Sequence, residues 1–191
     1  MIRQNQELLN YIIKLHQIEP HDVVIEQHYI PQETIISHDK RVNYVYIFKE
    51  GIAKCFLIED NGKEFIEEFF GKGEIVGEIE VINSHLTVAN IEAITSVVVF
   101  KIQKDIFMQL LDSDKTFNHL ILRALCSKIQ YKAIRHSYHQ SHPVESNLLR
   151  LKRDFPDFIN VIPKQDIANY LGITLRSLNR TLNDLKERYL F

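Results

Sequence analysis

The hydrophobic period of this chain changes partway along it, and that change constrains the fold more than any other feature. Between residues 23 and 103 the apolar residues come in short runs: VVIEQHYI, ETIIS, YVYIFKEG, IAKCFLIED, KEFIEEFF, IEAITS and VVVFKIQ. The runs are rich in β-branched and aromatic residues. They recur about every 8–12 residues with turn signals between them, the pattern of a β-sandwich or barrel. From residue 104 the period is helical. KDIFMQLLDSD predicts a short helix, and TFNHLILRALCSKIQYKAIRHSYHQS then runs on without Pro or Gly. At 1.5 Å per residue such a helix is roughly 35 Å long. That is longer than the flank of a small β-domain. Its apolar stripe of Phe117, Leu120, Ile121, Ala124, Leu125, Ile129, Tyr131 and Ile134 is therefore expected to meet a second helix, its own symmetry mate. Phe117, Leu120, Ile121, Ala124, Leu125 and Tyr131 are the expected dimer contacts. The competing expectation is a helix packed wholly on its own β-domain.

Local signals fill in the rest of the front. Residues 3–17 place Leu8, Leu9, Ile12, Ile13 and His16 at helical spacing, and Pro20 ends that helix. Asn61-Gly62 reads as a tight hairpin turn, because both residue types tolerate positive φ. Five of the six glycines lie between Gly51 and Gly77. So local a concentration means repeated sharp turning, either in ordinary hairpins or in a loop that cradles a ligand.

The end of the chain carries the most specific pattern. VESNLLRLKRDF predicts a helix with Val144, Leu148, Leu149 and Leu151 inward, and DFINVI reads as an extended piece between Pro156 and Pro163. PKQDIANYLGITLRSLNRTLNDLKERYLF then reads as a short helix from Lys164 to Tyr170, a turn at Gly172, and a second helix from an N-cap at Thr174 to about Glu187. Leu178, Leu182 and Leu185 form the buried face of that second helix. This is a helix-turn-helix. In such a motif the start of the second helix enters the major groove. The expected base-reading residues are thus Leu175, Arg176, Asn179 and Arg180. Arg bonds guanine O6 and N7 bidentately, and Asn does the same for adenine. Lys164, Gln165, Thr174 and Ser177 are placed for phosphates.

Charge supports a nucleic-acid partner at this end. Residues 1–122 carry 11 Lys/Arg and 19 Asp/Glu, a net of −8, whereas residues 123–191 carry 12 and 6, a net of +6. A total of −2 therefore conceals an acidic front and a basic back. The hydrophobic share of 45% and charged share of 25% are those of a globular chain. Cys55 and Cys126 are the only cysteines, too few for a disulfide scaffold. No apolar run approaches the ~18 residues of a membrane span. The N-terminus lacks the unbroken apolar core of a signal peptide. A cytoplasmic, reduced protein without a membrane partner is expected, its cysteines structural and buried, with an intersubunit redox switch at Cys126 on the long helix as the alternative.

These residues together resemble the Crp/Fnr family of bacterial transcription regulators, nearest its divergent YeiL-like branch. The resemblance runs from about residue 20 to 191. Its anchors are YVYIFKEGIAKCFLIEDNGKEFIEEFFGKGEIVGEIEVI in front and DIANYLGITLRSLNRTLNDLKERYLF behind. It implies an α+β fold: an N-terminal double-stranded β-helix (a jelly-roll-like β-roll), a long dimerisation helix, and a C-terminal helix-turn-helix, with the lack of a full wing expected as a departure from the family. The boundaries are residues 1–112 for a sensor roll with its N-terminal helix, 113–142 for the dimerisation helix and hinge, and 143–191 for the DNA-binding domain. The implied function is a homodimeric, non-enzymatic transcription regulator on palindromic double-stranded DNA, with RNA polymerase a further possible partner.

The same resemblance puts an effector pocket at Gly77, Glu78, Thr87 and Val88. Glu78 matches the family's ribose-binding carboxylate. Thr87-Val88-Ala89 stands where an Arg-Ser-Ala triplet would hold a cyclic phosphate, and no Lys or Arg lies between Lys72 and Lys101. A buried phosphate without its cation is poorly compensated. Cyclic AMP is therefore not expected as effector, and Glu78 is expected to brace the turn. The effector is unknown or absent. No cofactor is expected: two cysteines cannot hold an iron–sulfur cluster, and His136, His139 and His142 lack a supporting ligand set for haem or another metal. Arg180 matches the family's guanine-reading arginine. Arg176 replaces a common Glu and Asn179 a small residue, so the half-site differs from those of well-known branches. The rival reading is a sensor or interaction module with weak or lost DNA binding. A cupin-like enzyme is excluded, since His28, His38 and His85 lack H-x-H spacing.

Overall fold

Two sheets close face to face into a roll, and helices cover its ends and one flank. The computed structural model describes residues 2–19 and 22–188, the side chain of His139 excepted. In chain order the elements are β1 (Ile2–Arg3), α1 (Gln6–Ile18), β2 (Ile25–Tyr29), β3 (Thr34–Ile36), β4 (Tyr44–Glu50), β5 (Ala53–Ile58), β6 (Glu64–Phe70), β7 (Ile75–Val76), α2 (Glu78–Asn83), β8 (Asn90–Ala93), β9 (Val97–Gln103), α3 (Lys104–Ser113), α4 (Lys115–Ser141), α5 (Val144–Asp154), α6 (Phe158–Val161), α7 (Lys164–Leu171) and α8 (Leu175–Glu187). One sheet has the order β1-β6-β5-β8-β3 and the other β2-β9-β4-β7. The fold is α+β: a β-roll in front, a 27-residue helix, and a helix-turn-helix behind. Pro20 and the expected wingless end at 189–191 lie outside the described residues.

Sequence pattern explains the layers. In β4 Val45 and Ile47 point inward while Tyr44 and Tyr46 are half-buried, the period of two that a one-sided sheet requires. α1 sets Leu8, Leu9 and Ile12 on one face, and these close the front core with Val45, Ile47, Phe100, Phe107 and Phe117. The rear core joins Leu148, Phe158, Ile167, Leu178, Leu182 and Leu185 to Phe56, Ile66 and Phe69 of the roll. The helix-turn-helix is thus packed on the roll through shared apolar side chains.

Several expectations change. DFINVI is not extended: Phe158–Val161 makes a helical turn, with Asn160 Nδ2 donating to Asp157 Oδ1 at 2.6 Å. Burying Phe158 and Ile162 in the rear core overrides the β-preference of Ile and Val. At the hairpin only Gly62 takes positive φ. The loop is Asp60–Gly62, closed by Glu59 N–H donating to the Lys63 carbonyl at 2.9 Å. The strands β1 and β7 and the helix α2 carry no signal of their own length. β1 pairs in parallel with β6, and the segment after it crosses Gly73, where a Cβ would lie 1.9 Å from the Asn5 carbonyl oxygen. The glycine-rich stretch there makes room for the chain's own N-terminal segment.

The largest correction concerns α4. Phe117, Leu120, Ile121 and Ala124 are buried in the chain's own front core, and Leu125 is half-buried against it. Tyr131 is half-buried under the Arg3 guanidinium, 5.2 Å from its ring centroid. The large apolar side chains the helix leaves exposed are Leu122, Ile129 and Ile134. Cys126, expected to be buried, is exposed among them. The stripe drifts around the helix, so its first half serves the roll and a different face is left open.

Candidate nucleic-acid interface and sensor cavity

The reading head is built by local rules. α7 ends at Gly172, whose φ of +66° is the left-handed cap that lets the chain turn, and its N–H reaches back to the last turn. Thr174 then caps α8, its hydroxyl accepting from the Ser177 N–H at 3.1 Å. Leu178, Leu182 and Leu185 are buried. The opposite face therefore carries Arg176 and Arg180 exposed; Leu175 is exposed at the first turn, in line with the three leucines, and Asn179 and Ser177 are half-buried. Lys164, Gln165 and Thr174 are exposed beside them at the starts of the two helices. Of these eight, Gln165, Thr174, Leu175 and Ser177 come together around one hollow, and Lys164, Asn179, Arg176 and Arg180 do not line it. No ion pair engages Lys164, Arg176 or Arg180 among the described residues, which leaves their charge available to an anionic partner.

The head is held on the roll by charges that sequence reasoning missed. Lys54, buried on β5, places its Nζ 3.2 Å from Asp166 Oδ1 on α7, 3.0 Å from Glu64 and 3.3 Å from Glu92. Burial works against its charge, but the hydrogen bond to Glu64 and the fields of three carboxylates hold Lys54 above the usual lysine range. Asp166 shifts upward, burial outweighing the pull of Lys54. Arg135 of α4 donates to the carbonyls of Ile66, Glu67 and Tyr170 and lies 4.0 Å over the Tyr170 ring. The Tyr131 and Tyr170 hydroxyls are 3.0 Å apart. A hollow between the β5–β6 hairpin and the head is lined by Glu59 and Glu64 on one side and by Gln165, Thr174, Leu175 and Ser177 on the other.

The effector-pocket candidates separate into two roles. Gly77, in left-handed conformation, starts α2, and Glu78 follows it fully buried. Glu78 Oε1 accepts from Lys128 Nζ at 2.5 Å, and the same ammonium reaches the Ile75 carbonyl. Lys128 is itself buried. The carboxylate thus braces α2 against α4. Thr87 is buried and structural: its hydroxyl donates to the Ser37 carbonyl at 2.5 Å and accepts from the Lys40 N–H at 2.9 Å. Val88 is 69% exposed. Gly77, Glu78 and Val88 line a cavity of about 330 Å³ between the roll and α4, and Thr87 does not. The signal for Lys128 was present in the sequence: it continues the inward series Ile121, Ala124 and Leu125 by one helical step, where a lysine requires a partner. His136 and His142 are exposed at the end of α4, and the side chain of His139 lies outside the described residues.

Comparison with known proteins agrees with this geometry. The model for the cyclic nucleotide-binding domain matches residues 26–114, and that for bacterial regulatory proteins of the crp family matches residues 162–190. The chain is 23% identical over 203 residues to regulatory protein HlyX of Actinobacillus pleuropneumoniae, covering 96% of this chain and 81% of that protein. It is 23% identical over 163 residues to regulatory protein YeiL of Escherichia coli O157:H7, covering 79% and 69%. Among solved structures, a cyclic nucleotide-binding domain containing protein from Listeria monocytogenes EGD-e superposes with a TM-score of 0.74 at 20% identity, covering 95% of this chain and 92% of that one. No described helix is long and apolar enough to cross a membrane. With a roll of the cyclic nucleotide-binding class in front and a Crp-type helix-turn-helix behind, the chain belongs to the Crp/Fnr family of bacterial transcription regulators.

Proposed function

We propose that the chain regulates transcription as a homodimer that reads a palindromic DNA site with residues 174–187, under control of its roll. The observation that carries this is the outer face of α8, where Arg176 and Arg180 are exposed and without an ion pair among the described residues, on a helix anchored by three leucines. The dimer forms through the exposed side of α4. Leu122, Cys126, Ile129 and Ala133 follow one another at spacings of four, three and four, the repeat of a helix-pair seam. In that dimer the two reading helices sit about 34 Å apart, one turn of duplex. Cyclic AMP is not the effector, because Glu78 is spent on Lys128 and Thr87 on the Ser37–Lys40 loop. Selection of bound sequences from a random duplex pool tests the proposal, with sedimentation on the same sample. An enriched palindrome and a dimer are expected; an unenriched pool would establish instead a sensor or interaction module without sequence-specific binding.

A further inference from the structure

The cavity beside Glu78 differs in charge from a phosphate site, and that difference points to a ligand class. Its walls are apolar, formed by Ile36, Phe70, Val76, Ile91 and Leu125 among others, and its rim by the exposed Ile79, Val88 and Ile129. At about 330 Å³ it falls within the range of small-molecule sites. Six charged residues line it: Glu67, Glu68, Glu78 and Glu80, with Lys128 and Lys132. Both cations are already engaged, Lys128 by Glu78 at 2.5 Å and Lys132 by Glu67 at 3.2 Å. Glu68 is held by Arg3 at 2.7 Å from outside the cavity. Glu80, half-buried on the first turn of α2, is the lining carboxylate without an ion pair among the described residues. An entering anion therefore meets two cations already engaged in ion pairs and one carboxylate that forms none.

We propose that this cavity binds a small apolar molecule carrying a basic nitrogen, its hydrocarbon body against Phe70, Val76 and Ile91 and its ammonium on Glu80. The proposal rests on the roll being the sensor and names what it senses. Burial, reinforced by the charge of Glu78 and opposed by Glu80's own backbone N–H and by the fields of Lys128 and Lys132, lifts the Glu80 carboxyl above its ordinary range, and an ammonium seated on it would relieve that cost. Cys55 adds no competing charge: burial first, then Glu67, pushes its thiol up to about 12.

The test is calorimetric titration of the full-length protein with four probes: 2-naphthylmethylamine, 2-naphthalenemethanol, 2-naphthoic acid and cyclic AMP. The amine should bind at least tenfold tighter than the acid, with the alcohol between them and no heat from cyclic AMP. Glu80→Gln should bring amine and alcohol to equal affinity while leaving the alcohol unchanged. Ala89→Leu, which fills the cavity wall, should weaken both by tenfold or more with the melting temperature retained. Tighter binding of the acid or the nucleotide, no binding of any probe, or an amine preference that survives Glu80→Gln would each overturn the proposal. Footprinting on the selected DNA site, with and without the amine, separates the two readings. Amine binding that leaves DNA affinity unmoved removes the sensor role and keeps the ligand class. An acid that binds best and shifts DNA affinity does the reverse.

Discussion

At the residue scale the decisive feature is the pairing of each buried charge. Lys128 and Glu78 face each other, both buried, between α2 and α4. Removing one partner of a buried pair leaves the other uncompensated, which costs about 3–5 kcal/mol. Lys128→Met should lower urea-unfolding stability by that order, and the double variant with Glu78→Met should recover most of it. A single variant as stable as the parent would contradict the pairing. The DNA-facing residues divide by the same logic of what they touch. Arg180→Ala should cost roughly 1–3 kcal/mol on the selected site and blur one base position. Lys164→Ala should weaken specific and random duplexes alike and reduce the salt slope by about 1. Competition binding at several salt concentrations distinguishes the two, and equal losses on both duplexes for Arg180→Ala would remove it from base reading.

At the element scale the reading head shows how much short-range chemistry decides. Gly172 and Thr174 end one helix and begin the next within three residues, and both signals were legible before any fold was known. Thr174→Ala removes the acceptor for the Ser177 N–H and should cost about 1 kcal/mol. Gly172→Ala meets no atom within 4 Å, so its penalty, again about 1 kcal/mol, comes from the backbone at φ +66° alone. Paired melting curves check both, and a neutral Gly172→Ala would show that the turn relaxes. Where elements are short, local chemistry decides less. Phe158–Val161 reads as strand by residue type yet folds as one helical turn, because the rear core needs Phe158 and Ile162 on the same side. β1, β7 and α2 span two, two and six residues, too few for a period to show.

At the scale of the whole molecule, roll and head act as one packed body. Lys54 is the cation that compensates buried Asp166 across their junction. Lys54→Met should therefore destabilise the fold by about 3 kcal/mol near neutral pH. The sign of its pH dependence follows from Asp166. Already shifted upward by burial, that carboxyl would hold its proton more tightly folded than unfolded once Lys54 is gone. Protonation then favours the folded state, so the deficit should shrink as pH falls toward the carboxylate range. Denaturant titrations of parent and variant across that window measure it. A deficit independent of pH would assign the loss to packing of the lysine stem on Phe56, over which the ammonium lies at 4.8 Å.

What the sequence determined by itself was whatever local periodicity and turn chemistry encode: the switch from strands to helices, the capped helix-turn-helix with its outward Arg176 and Arg180, the acidic front and basic back, and the missing cation between Lys72 and Lys101. The tertiary structure alone decided which face of a periodic element is already used. The stripe of α4 was visible as a stripe. That Phe117, Leu120, Ile121 and Ala124 belong to the chain's own core, leaving Leu122, Cys126 and Ile129 outside, depends on where the roll lies against the helix. The same holds for Lys54 with Asp166, 112 positions apart, and for Lys128 with Glu78. Pairs so distant in the chain meet only after the backbone has closed, and no spacing rule along the sequence carries their distance.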